Sequence, residues 1–320
     1  MKQIKIGIIS TGGIADTAHA PAINAVEGTF LAAVLSRDES KGRDFLQKHG
    51  SETGNVHTSL EAFVDDPDID LAVICSPDGL HAQQAKACLK AGKHVLLEKP
   101  MALSLEDATE LVELAEQNNL KLAVGFHLRS HNGHLALRQR IVEQEEIGAV
   151  RHIRAIWAFL QSDDSNWRAK DELTKWWSLS AVGSHCIDLT RWFGNDQDDW
   201  KSFSVTTANN LWDGPHDETA IITGQLQSGS TVEIVSSVQF GPYNRIEIFG
   251  ETGMAVCEST MGRDGGGEIR INNELVPFEI EAPFINQLKD MTECIRTGKD
   301  PRANGLAGVR SVKDLLLAIS

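Results

Sequence analysis

Residues 92–104, GKHVLLEKPMALS, decide how the first half of the chain is read. Val95, Leu96 and Leu97 form an apolar run of strand type. Glu98, Lys99 and Pro100 then arrive together, and proline ends a strand because it has no N–H to give the ladder. Two charges at the end of a buried run either surface there or face a site. The flanks bear on the choice. A helix-period stretch, 78–91, precedes the run and is stopped by Gly92. Another, 104–118, follows it and opens with Ser104 and Asp107 in a capping-box arrangement. Leu105, Ala108, Leu111, Val112 and Ala115 give that second helix an apolar stripe. A near-continuous apolar strand between two helices belongs to a parallel sheet covered on both faces.

The same unit repeats outward. IKIGII (4–9), FLAAVLS (30–36), DLAVICS (70–76), HVLLE (94–98) and LKLAVGF (120–126) are predicted strands of that kind. The fold class expected is α/β, with a Rossmann dinucleotide-binding domain over residues 1–124. After about residue 150 the period changes to two. In TVEIVSSVQF (231–240), Val232, Ile234, Val238 and Phe240 are expected on one face, with Glu233, Ser237 and Gln239 on the other. EIRINN and ELVPFEI flank an expected turn at Asn272–Asn273. Helical stretches are predicted near 181–193, 284–297 and 304–319. Residues 125–320 therefore read as an α+β domain with a large, mostly antiparallel open sheet, and its closing helices are candidates to pack back on the first domain. Gly262 and Gly265–Gly267 mark a loop.

The bulk numbers narrow the function. Over 320 residues, 41% hydrophobic and 23% charged residues are those of a globular protein. No apolar run approaches the roughly 20 residues of a membrane span, and the N-terminus has no signal-peptide anatomy. Cys75, Cys88, Cys186, Cys257 and Cys294 make neither a C-x-x-C pair nor a zinc spacing, so reduced thiols in the cytoplasm are expected. A formal net charge of −15 speaks against nucleic acid or an anionic membrane as partner.

The strand at 4–9 runs into STGGIADTAHAP. A glycine-rich turn between first strand and first helix turns backbone N–H groups toward a pyrophosphate. Ser10, Thr11, Gly12, Gly13 and Ile14 form that turn. The three fingerprint positions hold Ser10, Gly12 and Ala15, so the glycine that lets phosphate approach survives and the tight-turn glycine does not. At the end of the second strand, where NAD-binding chains carry an acidic residue, stand Ser36 and Arg37, with Lys41 one turn on. NADP(H) is the favoured cofactor, NAD(H) the alternative.

Several segments together resemble the glucose–fructose oxidoreductase / inositol dehydrogenase / MocA (Gfo/Idh/MocA) family: GIISTGGIA, VLSRD, the long block DDPDIDLAVICSPDGLHAQQAKACLKAGKHVLLEKPMA, GFHLR, GSHCIDLTRWF and INQLKDMTECIRTGKDP. The resemblance spans nearly the whole chain. It implies that Glu98-Lys99-Pro100 ends the fifth strand of the cofactor domain, that Lys99 is the catalytic lysine, and that the Lys–Pro peptide is cis. A lysine in a dry crevice beside a cationic nicotinamide suits proton transfer. The bland alternative is a surface lysine paired with Glu98. AVGSHCID matches the family pattern D-x-G-x-H-x-x-D at Gly183, His185 and Asp188, which makes His185 the second catalytic candidate and a core histidine otherwise. Ala181 replaces the family's first aspartate. Asp188 is read chiefly as a structural partner near the helix, with a substrate contact as the alternative.

The resemblance also places Ser76, Pro77, His81, Glu98 and Lys99 at the cofactor, His127 and Arg129 in the same crevice, and the pair Trp167–Arg168 near the nicotinamide. Trp176 and Trp177 could wall a sugar pocket or belong to the core. His127, His131 and His134 have helical spacing, but no further ligand completes a set, so no metal is expected. The activity implied is NADP-dependent hydride transfer to or from a sugar, sugar derivative or polyol, by a homodimer or homotetramer built through the second-domain sheet. The rivals are a non-catalytic NADP-binding sensor and a reductase of a non-sugar substrate.

Overall fold

A computed structural model describes residues 3–170, 173–194, 196, 198–212 and 214–319. The chain divides into two compact units, Met1–His127 with Phe284–Val312, and Leu128–Pro283 with Lys313–Ser320.

The first unit is built on six parallel strands: β1 (Ile4–Ile9), β2 (Thr29–Leu35), β3 (Asn55–His57), β4 (Leu71–Ile74), β5 (His94–Leu97) and β6 (Leu122–Val124). Their order is β3-β2-β1-β4-β5-β6, the doubly wound arrangement that reverses at β1. Every residue of β4 and β6 is buried, as strands covered on both faces require. Between the strands run α1 (Ala20–Ala25), α2 (Glu39–Lys48), α3 (Leu60–Val64), α4 (Asp78–Lys90) and α5 (Leu105–Gln117). Their starts follow from local chemistry. Asp38 caps α2 by accepting from Lys41 N, and Ser59 caps α3 through Ala62 N. At α5, Ser104 Oγ accepts from Asp107 N at 3.1 Å and donates to Asp107 Oδ2 at 2.6 Å, the reciprocal arrangement the sequence predicts. The helix Pro283–Thr297 contributes Phe284, Leu288 and Met291 to a core shared with Ile4, Ile6, Ile8, Leu31, Val34 and Leu71.

The second unit contains α6 (Asn132–Arg138), α7 (Ser184–Phe193) and an eight-stranded sheet. The strands are β7 (Val150–Leu160), β8 (Trp200–Ala208), β9 (Thr219–Leu226), β10 (Thr231–Ser237), β11 (Gln239–Gly250), β12 (Met254–Glu258), β13 (Glu268–Ile271) and β14 (Glu274–Leu275). Only β7 and β10 pair in parallel; the other described pairings are antiparallel. α7 packs on β7 and β10. Asn272 and Asn273 turn β13 into β14 with φ of 49° and 68°, the left-handed pair that a two-residue hairpin favours. One expectation fails. The predicted strand 231–240 breaks after Ser237, so Phe240 belongs to β11 and is exposed while Val238 is buried. The strict alternation read from the sequence does not survive that change of strand.

Candidate active site

The first strand ends in the turn read as the phosphate seat. Ser10 has φ of 83°, the left-handed conformation that a glycine would adopt without cost at this fingerprint position. The serine carries backbone strain of about 1 kcal/mol or more instead, partly offset as its Oγ accepts from Gly12 N at 3.4 Å. A Cβ at Gly13 would meet nothing within 4 Å, and one at Gly12 would meet only Ser10 Oγ at 3.5 Å. The turn therefore leaves open space over two exposed glycines, as a phosphate cradle demands. Thr11 and Ile14 flank it, and the chain continues through a π turn, Ala15–His19, into α1.

At the end of β2, Ser36 is buried and donates from Oγ to Asp38 O at 2.8 Å, while Arg37 and Lys41 are exposed. Asp38, the nearest acid, accepts from Lys41 N through Oδ1 as the cap of α2. After β4, Ser76 Oγ bonds Gln84 Oε1 at 2.6 Å and Pro77 leads into α4. His81 is buried and spends both ring nitrogens on main-chain oxygens, Pro100 O at 2.7 Å and Ser76 O at 2.8 Å. It thus ties the turn after β4 to the turn after β5.

The turn after β5 carries Glu98, Lys99 and Pro100, all buried, and the Lys99–Pro100 peptide is cis. Glu98 Oε1 lies 2.8 Å from His19 Nε2, and Oε2 accepts from Lys99 N at 3.3 Å. Burial pushes the Glu98 carboxyl up, but the His19 hydrogen bond and the charges of His19, Lys99 and His127 outweigh it and hold the group down at about 2. His127 is buried and stacks on Phe284, with ring centroids 4.3 Å apart. Neither His19 nor Gly125, which lies beside the carboxylate, was singled out from the sequence. A lone histidine at the start of a helix and a glycine after a strand carry no pattern of their own.

In the second unit, His185 is buried on α7, its ring 5.4 Å from that of Trp157. Ala181 lies in the π turn Leu179–Gly183 that feeds α7. Asp217 anchors the segment before it, accepting from Trp177 N, Leu179 N and Ser178 Oγ. Arg168 lies over the Trp167 ring at 4.1 Å and donates to Ser180 Oγ at 3.1 Å; both residues are half-buried. Trp176 corrects one expectation: it is wholly buried and its indole donates to Leu315 O at 3.0 Å, so it is a core residue and not a pocket wall. Trp177 is equally buried and packs on Trp212.

Arg129 and Asp188 are also placed otherwise than as substrate contacts. Arg129 Nε reaches Asp188 Oδ1 and Oδ2 at 3.0 and 2.9 Å, and Nη2 reaches Oδ1 at 2.8 Å. Nη1 and Nη2 bind Asp196 at 3.1 and 2.9 Å. Burial, with Asp196 adding like charge, pushes the Asp188 carboxyl up to about 6 against the pull of Arg129. His134 bonds Leu128 O and Thr260 Oγ1, and His131 bonds Gly266 O, so both imidazoles serve the local backbone and side chains. Among the described residues, no group of three His, Cys, Asp or Glu side chains is placed to hold a metal.

A parallel sheet reversing at β1, an open glycine turn and a buried lysine at a strand's carboxyl end together define a dinucleotide-binding oxidoreductase. Known proteins agree. The profile described as "Oxidoreductase family, NAD-binding Rossmann fold" matches residues 4–126, and the "GFO/IDH/MocA C-terminal domain" matches residues 135–256. The chain belongs to the Gfo/Idh/MocA family of NAD(P)-dependent dehydrogenases and reductases acting on CH–OH groups. It is 26% identical over 315 residues to the 1,5-anhydro-D-fructose reductase of Ensifer adhaerens, covering 96% of this chain and 92% of that one. It is 31% identical over 192 residues to the scyllo-inositol 2-dehydrogenase (NADP(+)) of Bacillus subtilis, covering 58% of this chain and 51% of that one. The crystal structure of aldose-aldose oxidoreductase from Caulobacter crescentus complexed with glycerol superposes with a TM-score of 0.90, at 22% identity, over 99% of this chain and 97% of that one, and shows the shared fold.

Proposed function

We propose that the chain is an NADP-dependent oxidoreductase moving a hydride to or from a carbinol carbon of a sugar, sugar derivative or polyol. The observation that carries the reading is Lys99, buried at the carboxyl end of β5, where open parallel sheets bind their ligands. The bound nicotinamide supplies the hydride donor or acceptor. Lys99 gives or takes the hydroxyl proton, and His185 is the second residue assigned to that hydroxyl by the family pattern. Gly12 and Gly13 offer N–H groups to the pyrophosphate, and Arg37 with Lys41 answers a ribose 2′-phosphate. Ser76 and Pro77 border the cofactor, with His81 holding their turn. The first unit takes the cofactor and the second supplies the substrate wall, through Trp167 and Arg168. Arg129 and Asp188 serve the second unit's stability.

The substrate class draws on relatives named for an anhydro-sugar and an inositol. The exposed Ile221, Phe240 and Tyr243 on the second unit's sheet suit a subunit interface. The five buried, free cysteines suit a reducing compartment, and no helix among the described residues is long and apolar enough to cross a membrane. Ala181, in place of an aspartate, favours one rival, a non-catalytic NADP sensor. The test is NADPH oxidation and NADP reduction against a panel containing D-glucose, 1,5-anhydro-D-fructose, myo-inositol and scyllo-inositol, with non-sugar carbonyl compounds alongside. Turnover of a carbohydrate, lost in Lys99→Ala, is expected. Tight NADPH binding with no turnover on any compound would favour the sensor.

A further inference from the structure

The second unit has an aromatic ledge beside His185 that the hydride-transfer reading leaves without a task. The side chains of Ile153, Ala155, Trp157 and Phe159 fall on one face of β7. α7 covers part of that face. Just past its end, a Cβ on Gly194 would lie 3.5 Å from Ile153 Cδ1, and at its start the His185 ring lies 5.4 Å from that of Trp157, tilted by 33°. The helix therefore runs along β7 from Trp157 toward Ile153. Ile153 and Ala155 are wholly buried, whereas Trp157 and Phe159 are only partly covered. The apolar face thus comes out from under the helix beside His185. The spacing there is fixed from the neighbouring strand. Ser236 of β10 is the register partner of Trp157, and a Cβ on Gly183 would lie 2.9 Å from Ser236 Oγ. A glycine lets the π turn Leu179–Gly183 press this closely on β10, which brings His185 down to the indole.

We propose that Trp157 is a specificity-determining residue, whose indole packs on the His185 imidazole with one part and stacks on the ring of a pyranose or cyclitol with the part left uncovered. The proposal rests on the reading of the chain as a carbohydrate oxidoreductase, and it narrows the substrate to the ring form. A ring sugar has a face made of C–H bonds, and the negative π face of an indole attracts those hydrogens. Stacking fixes the height and tilt of the ring, so that the reacting hydroxyl is held toward His185. An open-chain polyol presents no flat C–H face to the ledge.

The test uses full-length protein loaded with NADPH, which cannot oxidise an alcohol. myo-Inositol, methyl β-D-glucopyranoside and 1,5-anhydro-D-glucitol are the ring probes, and D-glucitol is the open-chain control. Saturation-transfer NMR should show at least one ring probe bound, with D-glucitol weaker. In Trp157→Leu the Kd of that probe should rise about three- to tenfold, and in Trp157→Phe, which keeps a smaller π face, by less. For a ring substrate that turns over, KM should rise with the Kd while kcat moves less. Binding should also change the tryptophan fluorescence, and Trp157→Phe should diminish that change. An unchanged Kd in folded Trp157→Leu, or no transfer to any ring probe, overturns the proposal. A fall in kcat alone does so too, since Trp157 would then be a prop for His185 and nothing more. If Trp157→Leu does not fold, a fluorescence change undiminished in Trp157→Phe decides against it. The two readings fail separately. Ring binding through Trp157 with no turnover of any compound would remove hydride transfer and leave the ledge. Turnover of a ring sugar with an unmoved KM in Trp157→Leu would leave hydride transfer and remove the ledge.

Discussion

Glu98 in the first unit and Asp188 in the second are both buried carboxylates bound to a basic side chain, yet burial wins in one and loses in the other. Glu98 is held down at about 2, Asp188 pushed up to about 6. Desolvation opposes charge at both. The difference lies in the company. Glu98 faces His19, Lys99 and His127, whose charges favour its own, and it also accepts a main-chain N–H. Asp188 shares Arg129 with a second carboxylate, Asp196, and Arg191 adds a weaker pull. The basic groups around Glu98 together outweigh its desolvation, whereas two carboxylates on one guanidinium leave Asp188 under-compensated. A buried carboxylate is held ionised only where the groups around it make up for the water it has lost.

The strongest way to break this contrast is to remove a buried basic side chain from each unit. Lys99→Ala should lower turnover by about 10²–10⁴-fold, as loss of an acid/base group does, while cofactor affinity and melting temperature change little. Stopped-flow NADPH oxidation with cofactor titration checks it. A near-normal kcat would take Lys99 out of the chemistry. Arg129→Ala should do the reverse. Removing one side of a buried pair costs about 3–5 kcal/mol, so the melting temperature should drop by on the order of 10 °C, while the folded fraction keeps its kcat. A folded Arg129→Ala protein with undiminished stability and a raised KM would return Arg129 to the substrate.

The acid range sharpens the same contrast, because the two carboxylates load stability in opposite senses. Glu98 falls from 4.5 unfolded to about 2 folded, so its contribution is complete above pH 4.5 and is lost as pH falls from there to about 2. That window is worth on the order of 3 kcal/mol. Asp188 rises from 3.8 to about 6, so the folded state binds its proton more tightly than the unfolded one. Its ionisation therefore costs stability as pH climbs from about 4 to 6, by a similar amount. Melting curves against pH should lose their acid slope below 4.5 in Glu98→Gln. In Asp188→Asn they should lose the falling slope between 4 and 6. Parallel curves for both variants and the unmutated chain would dissolve the distinction.

Much of the first unit was legible because its strands are covered on both faces. IKIGII and DLAVICS need no context to read as parallel strands. β3 was not, since Asn55–His57 is three residues long with two polar side chains and exists by pairing with β2. In the second unit, the break after Ser237 hides inside an apolar alternation that runs on past it. At the candidate site, the Glu-Lys-Pro block and the glycine turn carry their chemistry in consecutive residues and can be read in one stretch. The Glu98–His19 contact joins residues 79 apart, and the Arg129–Asp188 pair joins residues 59 apart. Both depend on topology: the sequence pointed to Glu98, Arg129 and Asp188 but to neither pairing, and His19 carried no signal of its own. Trp176 shows the converse: an aromatic next to a candidate histidine looks like a wall until its indole is found bonded to a buried carbonyl.

The smallest effect concerns the other charged residue of the first unit that stands ready for a ligand. Arg37 follows β2 and is exposed, and Asp38 beside it already caps α2 through Lys41 N. Asp38 is drawn into the helix cap, while a guanidinium and the Lys41 ammonium are exposed for a 2′-phosphate. A charge-assisted bond from arginine to phosphate is worth roughly 1.5–3 kcal/mol. Because Arg37 is hydrated when no phosphate is present, the gain lies at the lower end, and NADP(H) should bind at least about tenfold tighter than NAD(H). Arg37→Asp replaces attraction by repulsion for the phosphate and supplies an acceptor for the hydroxyl. NADP(H) should weaken, and NAD(H) should hold or improve slightly. Fluorescence titration of both cofactors into both proteins reads the four affinities. Equal affinities in the unmutated chain would show that Arg37, unlike Lys99, spends its charge on water.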